Sequence, residues 1–151
     1  MKAARGFTMV ELVMVMVLIG VVAAIGVPKL MGENSFAAAA FGDEVVSALR
    51  TAQKTAVARR RLVCVDVAAT AVTLTQAREP NEGACPIALG DSYATDAGGV
   101  AASTHTLFFQ PNGLITSDTA GRNPVRGNVV VSLNGNARRT IVFEGSTGYV
   151  Q

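Results

Sequence analysis

A chain of 151 residues that is half hydrophobic, with two cysteines and a formal net charge of +2, has room for one domain plus an appendage. The charge is slight and lies at one end: Lys2 and Arg5 precede Phe7, and residues 7–151 carry eleven basic and eleven acidic side chains. That balance argues against a strongly cationic body built for nucleic acid, and with no CxxC and no Cys/His cluster there is no metal or redox-catalytic pattern, so neither metal nor cofactor is expected.

From Phe7 to Val27 the only ionised side chain is Glu11. As a helix, this stretch would extend about 30 Å, the thickness of a bilayer's hydrocarbon core. Lys2 and Arg5 ahead of it predict a cytoplasmic N-terminus and an exported remainder. A secretory signal peptide is one reading, with Ala23, Ala24 and Gly26 as small residues near its end. A plain membrane anchor is another, but it leaves Glu11 unexplained, because a carboxylate in lipid is expensive and persists when it pairs with something. Pro28 either bends the helix, with Gly20 and Gly26 as further weak points, or ends the membrane segment.

From Ser35 to about Leu62 the period is helical. Phe41, Val45, Leu49, Ala52 and Ala56 form an apolar stripe, with Asp43, Arg50, Lys54 and Arg59 elsewhere on the surface. Gly42 is a weak spot rather than a stop. Arg59-Arg60-Arg61 closes the helix. With no aromatic residues interleaved, the run reads better as cations at a helix C-terminus than as a phosphate-binding patch.

Beyond Leu62 the period becomes two. Val63, Val65 and Val67 alternate with Cys64 and Asp66, and Val72 to Thr75 completes a predicted hairpin. Residues 78–104 read as one irregular loop. "HTLFFQ" predicts a strand, "PNG" a turn, and "NVVVSLNGNARRTIVFEG" two strands about Asn134-Gly135. In an oxidising compartment Cys64 and Cys85 would join, closing a loop of about twenty residues and adding about 3 kcal/mol; two reduced, partly buried thiols are the alternative. His105, the only histidine, has no Cys or acidic partner at ligand spacing and reads as a strand-end residue. No nucleophile motif or phosphate-cradling glycine loop is present, so no catalytic residue is assigned and an enzyme is the least favoured class.

Gly6-Phe7-Thr8-Met9-Val10-Glu11 resembles the cleavage and methylation motif of type IV pilins and type II secretion pseudopilins: a short basic leader, Gly, Phe, and a Glu five residues into the mature chain, followed by an apolar helix. The resemblance implies cleavage after Gly6 by a prepilin peptidase and methylation of the new Phe7 amine by the same peptidase/methyltransferase. It implies that Glu11 neutralises the N-terminal ammonium of a neighbouring subunit during assembly, and that Pro28 kinks the helix. The domains then divide as a leader at 1–6, a hydrophobic transmembrane and assembly helix at 7–34, and a periplasmic head at 35–151.

Phe109-Gln110-Pro111-Asn112-Gly113, followed by "RRTIVFEGSTGYV", resembles the GspH/FimT family of minor pilins and pseudopilins. The fold implied is α+β: a long N-terminal helix, half in the membrane, half packed on an antiparallel sheet. The implied partners are other minor and major pilins or pseudopilins, with inner-membrane lipid before assembly. The functions implied are a minor pilin that initiates a type IV pilus, or the equivalent H-type pseudopilin of a type II secretion system. Some FimT-type members bind DNA through a C-terminal Gly-Arg-x-Arg. Here the matching positions read Gly148-Tyr149-Val150-Gln151, without either arginine, which leaves Arg138 and Arg139 as the residual contacts and demotes DNA as a partner.

Overall fold

The structure, a computed structural model, describes residues 8–30 and 33–151, without the side chains of residues 25, 27–30 and 33. It divides into two compact units, residues 1–33 and 34–151.

The first unit holds helix α1, Met9–Leu30. Thr8 caps it: the Thr8 Oγ1 accepts the Glu11 N–H at 3.2 Å, and the Thr8 carbonyl accepts the Leu12 N–H at 3.1 Å. Thr-x-x-Glu is the spacing of a capping box. The described side chains from Met9 to Ala24 are exposed and, but for Glu11, uncharged. Among the described residues no helix is long and apolar enough to cross a membrane.

The second unit takes all of α2, Glu33–Arg59, but its first residue. Its apolar stripe faces the core as expected: Phe41, Val45, Leu49, Ala52 and Ala56 are all buried, while Asp43, Arg50, Lys54 and Arg59 are exposed. The helix ends at Arg60, which has a φ of +52°. The Arg60 N–H donates to the Val57 carbonyl and the Arg61 N–H to the Ala56 carbonyl, a Schellman closure with arginine where glycine is usual.

Ten strands follow: β1 Val63–Val67, β2 Ala71–Gln76, β3 Ile87–Ala88, β4 Tyr93–Ala94, β5 Val100–Ala102, β6 His105–Phe109, β7 Ile115–Thr116, β8 Arg126–Leu133, β9 Asn136–Glu144 and β10 Tyr149–Val150. They form two antiparallel sheets rather than the one that the sequence suggested. The first runs β3-β2-β1-β6-β7, with β4 also on β2; the second runs β10-β9-β8-β5. Residues 78–104 are therefore not a single irregular loop. Their strands are two or three residues long and exist through distant pairings such as Val100 with Leu133, which no local period announces.

Alternation sets the faces. Val63, Val65 and Val67 join one core with Phe109, Ile115, Val129, Val131, Ile141, Phe143 and the stripe of α2. Cys64 points to the other face of β1, and there it forms a disulfide with Cys85. The two partly buried thiols considered above are thus a single bonded pair.

Candidate functional site

The N-terminal motif falls partly outside the described residues: Gly6 and Phe7 lie there, and so does the side chain of Pro28, whose position is helical within α1. Glu11 is described. It is exposed in the first turn of α1, where a carboxylate is favoured by the helix dipole. Its backbone N–H is taken by Thr8. The Thr8 cap was legible in the sequence as Thr-x-x-Glu but was absorbed there into the cleavage motif.

In the head, the two stretches that carry the family resemblance meet. Gln110, buried, donates from Nε2 to the Thr116 Oγ1 at 2.9 Å and to the Asp118 carbonyl at 3.2 Å. Thr116 in turn donates to the Asp118 carbonyl at 2.7 Å. The Pro111-Asn112-Gly113 turn closes with the Gly113 N–H on the Gln110 carbonyl at 2.9 Å. Just beyond, the Ile115 N–H donates to the Gly145 carbonyl, the Gly145 N–H to the Val125 carbonyl and the Val125 N–H to the Ile115 carbonyl, at 2.8–3.0 Å. This ring of bonds joins β7 of one sheet to the end of β9 in the other. Gly145 has no room for a side chain, since a Cβ would run into the Ile115 carbonyl and the backbone of Val125. Gly148 is closed off in the same way by the Gly113 carbonyl and Gln53. Sequence reasoning missed both glycines as packing sites; the signal was their repetition, Gly-Ser-Thr-Gly, after an apolar strand.

Arg138 and Arg139 are adjacent but differently placed. Val131 pairs with Arg139 and Ser132 with Ala137, so Arg138 is the extra residue of a β-bulge, and it is exposed. Arg139 is half-buried. Its Nη1 meets Asp43 Oδ1 at 2.6 Å, and its Cδ would lie 2.7 Å from a Cβ at Gly42. Gly42 thus admits the arginine stem against α2. The structure brings Arg139 together with Arg50 and Lys54 around one groove beside α2. It does not add Arg138 to that lining.

The arginine run at the end of α2 behaves as a helix terminus, with the Arg59 Nη1 donating to the Gln76 Oε1 at 2.9 Å. His105 opens β6, and its ring stands edge-on to Phe143 at 5.7 Å. Among the described residues no cluster of His, Cys, Asp or Glu could hold a metal. Asp118 accepts N–H groups from Arg122 at 3.1 Å and Asn123 at 2.8 Å. The Arg122 bond foremost, with the bonds from Asn123, holds its carboxyl below the ordinary value despite the opposing desolvation.

Comparison with known proteins agrees with this architecture. Residues 1–27 match the prokaryotic N-terminal methylation motif, and residues 42–147 match the family described as type II transport protein GspH. No curated protein matches the chain. Among solved structures, the type IV minor pilin FimU of Pseudomonas aeruginosa is similar in two crystal forms. One aligns with a TM-score of 0.58 at 16% identity, covering 74% of this chain and 84% of that one. The other gives 0.53 at 15% identity, covering 74% and 89%. The fold is therefore pilin-like, two helices with antiparallel sheets, and by the match over residues 42–147 the chain belongs to the GspH family.

Proposed function

We propose that this chain is a structural minor pilin that helps initiate a type IV pilus. In this reading a prepilin peptidase cuts after Gly6, the Phe7 amine is methylated, and residues 7–34 hold the subunit in the inner membrane with its head, 35–151, in the periplasm. The observation that carries the reading is Glu11: a lone exposed carboxylate in the first turn of an apolar helix, within a matched methylation motif. Left in lipid it costs several kcal/mol, on the order of the penalty for an unpaired buried charge. A neighbour's N-terminal ammonium removes that cost and draws the subunit into the filament. Other pilins are then the partners, and the role is assembly rather than catalysis.

A second reading, the minor pseudopilin of a type II secretion system, is favoured by the description of the matched family. DNA binding has less support, because Arg139 is already engaged by Asp43. Deletion of the gene in its own bacterium, with surface pili counted by electron microscopy, tests the proposal. Loss of pili, restored by the wild-type chain but not by a processed Glu11→Ala chain, is expected. Normal pili with loss of secreted proteins would overturn it in favour of the second reading.

A further inference from the structure

Four connecting segments of the head converge on a cavity of about 210 Å³. Leu62 precedes β1, Glu82 follows β2, Gln110 and Pro111 follow β6, and Thr119 and Ala120 lie between β7 and β8. The disulfide to Cys85 ties the Glu82 segment to β1. A Cβ at Gly83 would lie 3.7 Å from the Thr119 Oγ1, so the two loops meet. The cavity offers acceptors that nothing uses. Gln110 is only 8% exposed, and its Nε2 is spent on Thr116 Oγ1 and on the Asp118 and Thr119 carbonyls, the last at 3.4 Å. Two carbonyl partners fix which way the amide points, because only its nitrogen donates. Among the described residues nothing donates to the Gln110 Oε1, and no wholly buried side-chain oxygen or nitrogen goes without a partner. That oxygen is therefore open to the cavity. Glu82 accepts the Arg78 and Glu79 N–H groups at 2.6 and 3.2 Å, both on Oε2. The carboxylate is held in place with Oε1 left without a donor, and among the described residues no ion pair engages it.

One negative charge beside an idle amide oxygen calls for a singly charged hydrogen-bond donor. A dication is poorly served, since calcium takes about six to eight oxygens, and Glu82 is the one carboxylate in the lining. The cavity is also far larger than the about 10–15 Å³ that a single water fills. A guanidinium brings a planar fork of donors that serves a carboxylate and an amide oxygen together, and it sheds water more readily than an ammonium. Leu62, Pro111 and Ala120 give its methylene stem an apolar wall. Among the described residues no cation lines the cavity. The α-carboxylate of free arginine would find no counterpart there, whereas an arginine inside a polypeptide has none to place. We propose that this cavity receives the arginine side chain of another polypeptide, with the guanidinium between Glu82 and Gln110.

Titration of the isotope-labelled full-length chain in detergent with capped arginine, N-acetyl-arginine methylamide, tests this by NMR. The signals to follow are the Gln110 side-chain amide and the Thr119 backbone amide. Both are expected to shift saturably, with a Kd on the order of 1–10 mM for a single charge-assisted contact. Capped citrulline, alike in shape but uncharged, is expected to bind about tenfold more weakly or not at all. Glu82→Gln is expected to weaken capped arginine about tenfold. Its amide oxygen still accepts the Arg78 and Glu79 N–H groups, so the rest of the spectrum is expected to stay in place. Thr119→Asp adds a second carboxylate at the cavity and is expected to tighten binding about threefold. No saturation up to about 50 mM, equal binding of capped citrulline, or unchanged affinity in both variants would overturn the site. Calcium chloride moving the same signals where capped arginine does not would overturn it in favour of a metal. Free arginine binding more tightly than the capped form would overturn the polypeptide as the source.

Discussion

Gly148 packs against the carbonyl oxygen of Gly113, with φ values of +71° and +92°, so two turns remote in sequence share one seam. A Cβ at Gly148 would enter that oxygen and come within 2.5 Å of Gln53 Nε2. Gly148→Ala is expected to lower stability by about 2–4 kcal/mol, from strain in a left-handed conformation together with overpacking. Urea unfolding of the full chain in detergent, followed by circular dichroism, measures it. A change below about 0.5 kcal/mol, the range of an unremarkable surface substitution, would mean that the seam yields freely.

The end of α2 offers a change in the opposite direction. Arg60 occupies a left-handed position at the Schellman closure. Arg60→Gly is expected to stabilise by about 0.5–1 kcal/mol, raising the Tm by about 1–4 °C for a chain of this size. A lower Tm would show that the arginine side chain contributes more than its backbone costs.

Cys64 and Cys85 join β1 to the segment that follows β2. Replacing both by serine is expected to lower stability by about 3 kcal/mol, through the greater entropy of the unfolded chain. Reductant added to the wild type should reproduce the loss. A wild-type chain whose mass and unfolding midpoint ignore reductant would contradict the bond.

The loop between β7 and β8 should respond to acid. The Asp118 carboxyl is held below its ordinary value of 3.8, chiefly by the Arg122 N–H. Because the folded pKa is the lower one, its contribution is complete above the ordinary carboxylate value and is lost as pH falls through the folded value. Exchange of the Arg122 and Asn123 amides is therefore expected to accelerate, relative to intrinsic rates, below about pH 4 and to show no such step between about pH 5 and 8. Asp118→Asn should abolish the step; an unchanged profile in that variant would assign it elsewhere.

The parts of the head legible in sequence were those with a period. The stripe from Phe41 to Ala56 and the alternation of Val63, Val65 and Val67 each repeat with their own element, and each was placed correctly. What stayed hidden depends on distant partners. β5 is three residues that become a strand because Val100 meets Leu133, and the division into two sheets follows from pairings of that kind. In the candidate site, Glu11 stood out because a charge interrupts an apolar run. The meeting of Gly113 with Gly148 left no trace beyond two ordinary turn signals, and the different duties of two neighbouring arginines left none at all.

Those arginines bear on how any test for a polyanion is designed. Arg139 is anchored to Asp43 and rests against Gly42, whereas Arg138 bulges from its strand into solvent. Truncating both together would mix a loss of surface charge with a rearrangement of the strand against α2, and a weaker shift on a gel would have two causes. Arg138 alone separates them: changing it removes one outward charge and leaves the anchor in place.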